Sequence, residues 1–388
     1  MKKVLVVFPI LHHESLVLGQ CKYLNDSYVS IDAILICREK LKFYSTSCYK
    51  LPFSCRFLLL LFNSLVHIRG FYRFRFYSII VKRLFHRLVE DHDTIELAGV
   101  YSEDRLYFAE YARSKGKKVI SRVWGTDFYG IKDFQNDWRK ELFRISDRIV
   151  LATEKMKNDF ILSFPSFSTK LTIQPYGLSQ LEQLKDILDN KAEKDVSFLA
   201  DEYRDKIVLT IGYTGRTWQQ HFYVLDALEK LSPDQKGKLF VLIPMTYDSI
   251  PDYRLYIIKR MQAIGIPFQI LDKRLSLKQN LSMRIISDIA VCVQLSDGLS
   301  ASVQEHIMAG SLFIGGDWLP YGVLQKQGIY MKLTSKDGLA RVIGGVVDNI
   351  HEEKAKCRRN KDILYSFSSW KSIGNEFVNI YNYNSFDK

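Results

Sequence analysis

Asp297 and Glu305 stand eight positions apart in the run Asp297-Gly-Leu-Ser-Ala-Ser-Val-Gln-Glu305-His-Ile-Met-Ala-Gly310. The apolar run Ile289-Ala-Val-Cys-Val293 precedes them and Leu312-Phe-Ile-Gly315 follows. The pattern predicts a strand, a polar loop carrying Asp297, and a helix with Glu305 in its first turn. Open α/β sheets take phosphorylated ligands at such a helix mouth, where unpaired N–H groups and the helix dipole favour negative charge. Ser300 and Ser302 lie at that mouth, and a carboxylate there can accept the hydroxyl hydrogens of a ribose or a sugar. Ser302-Val-Gln-Glu305 is also a capping box, a device that starts many helices with no ligand.

Other turns carry groups of the same kind. Gly212-Tyr-Thr-Gly215-Arg216 follows a strand-like run; glycine lets the backbone approach a ligand, and Arg216 offers a fork of donors to a diphosphate. Lys273-Arg274 follows Pro267–Leu271 and either adds charge near phosphate or is a solvated basic pair. Asp127, in Trp124-Gly-Thr-Asp127, can contact a sugar, act as general base to an acceptor hydroxyl, or cap a short helix. His13, in His12-His13-Glu14, can bind acceptor hydroxyls or take a proton, or be a hydrogen-bonded loop residue. Glu103-Asp104 is a further acidic pair, with Asp104 also placed to start a helix. Gly315-Gly-Asp-Trp-Leu-Pro-Tyr-Gly322 either shapes a sugar pocket or makes a turn.

These turns need a scaffold, and strand-like and helix-like runs alternate along the chain to supply it. In the first half, 4–8, 30–36, 94–101, 118–123 and 148–152 read as strands, with amphipathic stretches at 105–114 and 138–145. In the second half, the strands 207–212, 239–244, 267–271, 289–293 and 312–315 alternate with helices over 222–230, 253–264, 277–286 and 302–309. Repeated βα units with apolar strands imply parallel sheets covered on both faces. The polar stretch 180–194 marks the join. Trp370, Ile373, Phe377 and Ile380 repeat at helical spacing near the end.

The segment from Asp297 to Gly310 resembles the acid–seven residues–acid motif of GT-B glycosyltransferases, especially the family-4-like group of retaining hexosyltransferases. The resemblance implies an α/β fold with two Rossmann-like βα domains facing a cleft. Residues 1–177 would form the acceptor side, 178–206 a linker and 207–368 the nucleotide-sugar domain, with a final helix over 369–388 crossing back to the first. In that family the first acid, here Asp297 in place of the usual Glu, faces the donor sugar, and the second, Glu305, holds the ribose. An Arg at the position of Arg216 and a Lys five residues later grip the phosphates; this chain has His221 at the Lys position. Gly-Thr-Asp127 resembles the Gly-x-Asp turn that faces the cleft. Together with His13, read from its place after the first strand, Asp127 and Asp297 make up the expected catalytic set. The implied donor set is Gly215, Arg216, Lys273, Ser300, Ser302 and Glu305, with no required metal or cofactor beyond the sugar nucleotide.

At 388 residues the chain is long enough for two domains, each with a core. Six scattered cysteines without a Cys-x-x-Cys pair suit a reducing cytoplasm rather than a disulfide framework or a metal site. The opening Met1-Lys-Lys-Val-Leu-Val-Val-Phe reads as a buried strand rather than a signal peptide, since no cleavage site follows. Residues 57–68 are too short an apolar stretch to span a bilayer. The net charge of +12 is uneven: residues 1–177 hold 28 Lys and Arg against 18 Asp and Glu. Region 38–87 is rich in bases and aromatics, which suits contact with an anionic membrane surface, or a helical layer with solvated bases.

The reading is a glycosyltransferase at the inner face of the cell membrane. It would move a sugar from a nucleotide diphosphate sugar to a growing bacterial surface glycan on a lipid diphosphate. A sugar-nucleotide epimerase or hydrolase of the same plan is one alternative. A nucleic-acid-binding protein is another, although no RNA-binding signature is present and no nucleic-acid partner is expected.

Overall fold

Apolar runs of four to eight residues become the strands of two sheets in the computed structural model. It describes residues 2–8, 14–24, 29–36, 41–45, 51–65, 76–130, 135–191, 193–247 and 249–382. The first sheet is built from β1 (Lys2–Phe8), β2 (Val29–Ile36), β3 (Leu41–Ser45), β4 (Thr94–Ala98), β5 (Lys118–Arg122), β6 (Arg148–Leu151) and β7 (Leu171–Ile173), in the order β3-β2-β1-β4-β5-β6-β7. The second contains β8 (Ile207–Ile211), β9 (Leu239–Pro244), β10 (Phe268–Leu271), β11 (Ile289–Cys292), β12 (Leu312–Gly316) and β13 (Lys332–Thr334), in the order β10-β9-β8-β11-β12-β13. All pairings are parallel except β2 with β3. The chain divides into two compact units, Met1–Ser179 with Ser368–Lys388, and Gln180–Phe367. Each unit is a Rossmann-like parallel α/β sheet.

The strands are apolar on both faces because helices cover both. Along β1, Leu5 and Val7 join one core with Phe85, Leu88 and Phe108, while Val4, Val6 and Phe8 join another with Trp370 and Phe377. In the second unit Leu209, Ile211, Val241 and Ile243 face one core, and Val208, Phe240 and Leu242 the other. Side chains that alternate with period two allow one strand to feed two cores. The sequence pattern does not announce β3, β7 and β13. Each is a short edge strand, and β7 and β13 have three half-buried residues with no apolar run.

Two helices, Phe53–Leu65 and Phe76–Glu90, lie over one face of the first sheet and give Cys55, Phe62, Leu84, Phe85 and Leu88 to its core. The final helix, Trp370–Asn382, belongs to the first unit. Its Tyr381 hydroxyl donates to Glu96 Oε2 at 2.5 Å and accepts from Gln20 Nε2 at 2.7 Å. Glu96 in turn takes a bond from Arg122 Nε at 2.6 Å, both side chains being buried. Among the described residues, no helix is long and apolar enough to cross a membrane.

Candidate functional site

In the second sheet the chain runs outward from β8 to β9 and β10, then crosses back to place β11 on the other side of β8. The turns after β8 and β11 therefore leave the sheet side by side and diverge. That switch point is where an open parallel sheet leaves room for a ligand beyond its carboxyl edge.

The turn after β8 is built around two glycines. Gly212 has φ +63°, and a Cβ there would sit 2.8 Å from Gln219 Oε1 and 3.1 Å from His221 Nε2. A side chain would thus be both strained and crowded. Gly215 allows the turn to lie against the segment after β9, since its Cβ would come within 2.5 Å of the Ser249 Cα. Gln219 Oε1 accepts from the Tyr213 N–H at 3.1 Å and shapes the loop. Arg216 is half-buried, with its guanidinium over the Trp218 ring, 4.4 Å from the centroid. The Leu295 N–H donates to the Trp218 carbonyl at 3.0 Å and ties this turn to the one after β11. His221 is buried, with Nδ1 3.1 Å from the Tyr253 hydroxyl. Burial pulls its pKa down to about 4, so the ring is neutral near pH 7.

In the turn after β11, Asp297 Oδ2 accepts from Gln294 Nε2 at 2.7 Å and from the Tyr321 hydroxyl, while Oδ1 accepts from the Gly298 N–H at 2.7 Å. Burial raises the carboxyl pKa, and the Tyr321 hydrogen bond opposes the rise. Tyr321 comes from the stretch 315–322, so that stretch helps to shape the surroundings of Asp297. Leu299 has φ +95°, a backbone that a branched side chain rarely adopts. The strain falls immediately before Ser300, the N-cap of the helix Ala301–Met308. Ser300 makes no side-chain cap bond, and both Ser300 and Ser302 are half-buried.

The helix starts at Ala301, so the capping box expected from Ser302 to Glu305 does not form. Glu305 falls beyond the first turn and faces the helix Leu277–Ile286. Its Oε2 lies 3.2 Å from Arg284 Nε, with both side chains nearly fully buried. Arg284 Nη1 also donates to His306 Nε2 at 2.9 Å, and His306 Nδ1 lies 3.2 Å from the Ser311 hydroxyl. Burial and the adjacent guanidinium hold His306 well below its ordinary pKa. Burial raises the Glu305 carboxyl, while Arg284 opposes the rise. Glu305 is therefore a member of a buried ion pair, not an open carboxylate in the first turn.

Around this switch point, buried polar atoms lack protein partners. Among the described residues, seven of the fourteen such side-chain atoms belong to this group: Gln219 Nε2, Gln220 Nε2 and Oε1, His221 Nε2, Ser249 Oγ, Gln294 Oε1 and Gln304 Oε1. A buried amide without a partner costs roughly 1–3 kcal/mol, so half of this burden concentrated on three neighbouring turns points to a ligand. Gln220 adds a second non-glycine residue at positive φ, +54°. Sequence reasoning missed the amides. Their signal was the unbroken polar run Gln219-Gln220-His221 at a helix start, where an apolar residue would ordinarily begin a buried face.

The other expected residues stand on other turns or serve other ends. Lys273 is exposed, on the turn after β10. Asp127 is fully buried: Oδ2 accepts from the Val100 N–H and Oδ1 from the Trp124 N–H, each at 2.8 Å. Burial lifts its pKa to about 6. The two oxygens thus join the turns after β4 and β5, and the carboxylate is buried rather than open as expected. Glu103 and Asp104 are exposed, and Asp104 begins the helix Asp104–Ser114. His13 lies outside the described residues. Among the described residues, no group of three or more His, Cys, Asp or Glu is arranged to hold a metal ion.

No known protein-family description matches the chain, and no curated protein matches it in sequence. Solved structures do match in shape along nearly the whole length. A glycosyltransferase from Rickettsia africae superposes with a TM-score of 0.67 at 12% identity, covering 98% of each chain. HepE of Anabaena, solved with UDP and glucose, gives 0.64 at 11% identity, covering 98% of this chain and 100% of its own. A UDP-forming α,α-trehalose-phosphate synthase from Burkholderia xenovorans gives 0.65 at 13% identity, covering 98% of both. The likeness is one of fold, that of the GT-B glycosyltransferases with their two Rossmann-like domains.

Proposed function

We propose that this chain is a glycosyltransferase that takes a sugar from a nucleotide diphosphate sugar, with the donor held by the turns after β8 and β11. The observation that carries the reading is the set of unpartnered buried amides and imidazole around Gly212 at the switch point of the second sheet. A donor with many hydroxyl and phosphoryl oxygens offers partners to such groups. Gly215 and Arg216 would meet the diphosphate, and Lys273, two strands away on the turn after β10, would add positive charge to the same carboxyl edge of the sheet. The mouth of the helix Ala301–Met308, at Ser300 and Ser302, supplies N–H groups not taken by a side-chain cap. Fixed donors aimed at the leaving diphosphate stabilise its developing charge without a metal. Asp297, held by Gln294 and Tyr321, would face the sugar. Glu305 would reach a ribose hydroxyl only with the oxygen that Arg284 leaves unused. His13 remains the acceptor-side proton acceptor in this reading.

The acceptor we propose is a bacterial surface glycan on a lipid diphosphate, reached at the inner face of the membrane. The basic first half supports it, since +10 of the net +12 lies within residues 1–177. The test is turnover with a panel of nucleotide sugars, with and without membranes bearing lipid-linked glycan. Release of nucleoside diphosphate only when acceptor is present supports transfer. Equal release without acceptor would instead identify a hydrolase, and rearrangement of the sugar without release of nucleoside diphosphate an epimerase. Salt-dependent RNA binding without affinity for any nucleotide sugar would overturn the enzyme reading.

A further inference from the structure

The helix Phe53–Leu65 is apolar on two opposite faces. Cys55 and Phe62 enter the core of the first unit. On the other side Phe53, Phe57 and Leu60 are 84%, 56% and 68% exposed. Their spacing of four and then three residues puts them in a single stripe. Ile79, on the packed neighbour helix Phe76–Glu90, is also exposed, and Arg83 follows it one turn later on the solvent side. Arg56 is exposed beside the stripe, and the helix Phe53–Leu65 carries no acidic residue. An exposed row of large apolar side chains marks a contact surface rather than an ordinary helix face.

Charge selects the occupant. Residues 40–89 contain ten Lys and Arg and no Asp or Glu. A second copy of the chain docked here about a two-fold axis would bring the exposed Arg56 and Arg83 of each copy against those of the other. An anionic bilayer attracts them, with each base near the surface adding to binding, while its acyl boundary accepts phenyl and leucyl side chains. We infer that Phe53, Phe57 and Leu60 enter the interface of an anionic membrane, with Arg56 and Arg83 at the headgroups. This deepens the proposed function and rests on it for purpose, since it would hold the enzyme where a lipid-linked acceptor lies.

Flotation with vesicles of phosphatidylcholine, alone or mixed with phosphatidylglycerol, tests the inference. Wild type should float with the anionic vesicles, less so as salt rises, and not with phosphatidylcholine alone. Combined Phe53→Ser, Phe57→Ser and Leu60→Ser should cut the partition at least about tenfold, and Arg56→Gln with Arg83→Gln should weaken it further at low salt. All three sites are exposed, so melting temperature and donor-induced thermal shift should stay at wild-type values. Undiminished flotation of the triple variant, or no flotation of wild type, overturns the inference. So does conversion of a dimer to a monomer with flotation unchanged, which would assign the stripe to a second copy. Loss of the donor shift in wild type with flotation intact would refute the enzyme reading and leave the membrane face standing.

Discussion

Removing the Glu305 carboxylate should destabilise the second unit strongly, whatever it does to ligand binding. Glu305→Ala leaves the Arg284 guanidinium buried with His306 as its neutral partner. At 3.2 Å and an effective dielectric of about 20, the lost attraction is about 5 kcal/mol. Relaxation and water entry reduce this to the range measured for broken buried pairs, about 3–5 kcal/mol. For a unit of this size that amounts to a fall in melting temperature of roughly 10 °C. Replacing both partners by apolar residues, Arg284→Met with Glu305→Leu, should recover more than half of the loss, because no charge is then stranded. Urea unfolding of the wild type, Arg284→Met, Glu305→Leu and the double variant closes the cycle. Additive losses without coupling, or a Glu305→Ala protein as stable as wild type, would refute the buried-pair account. Glu305→Gln separates stability from binding: it keeps the shape, and a loss of donor affinity beyond its loss of stability would assign the remaining oxygen to the ligand.

His221 makes stability depend on pH. Its folded pKa of about 4 lies below the ordinary 6.5, so the unfolded chain binds the proton first. The stability it permits is complete above about pH 6.5 and is lost as pH falls towards 4, by about 3 kcal/mol in all; urea midpoints across that window should show the slope, and His221→Gln should flatten it. Gly212→Ala should cost about 1–2 kcal/mol from the left-handed backbone, and crowding of Gln219 should weaken donor binding more than it lowers the melting temperature. Asp127→Asn would turn an amide donor towards the Val100 or Trp124 N–H and should destabilise the first unit by about 1–3 kcal/mol; an unchanged unfolding midpoint would contradict the buried geometry.

Much of this was legible before the fold was known, because both sheets are written in apolar runs. Val4–Phe8, Leu239–Pro244 and Ile289–Cys292 are buried on both faces, and such runs have few other uses. The turns after β8 and β11 were legible as well, since Gly212, Gly215 and the polar run from Asp297 interrupt otherwise periodic segments. Partnership was not. Arg284 lies 21 residues from Glu305 in sequence, on a different helix, and no spacing rule joins them. Asp127 looked open because it follows a strand, yet two backbone amides from separate turns claim it. The exposed stripe of Phe53, Phe57 and Leu60 was hidden for the opposite reason: its helix is apolar on two opposite faces, so composition could not tell the inner face from the outer.

The central claim is that the switch point of the second sheet holds a nucleotide sugar. The direct measurement is a thermal-shift titration of the full chain with UDP-, GDP-, dTDP- and CMP-sugars, repeated with Arg216→Ala and Gln220→Ala. The account predicts that one nucleotide class raises the melting temperature of wild type and that each variant, folded to the same extent, loses the shift. Equal shifts in wild type and both variants, or none from any nucleotide sugar, would contradict it.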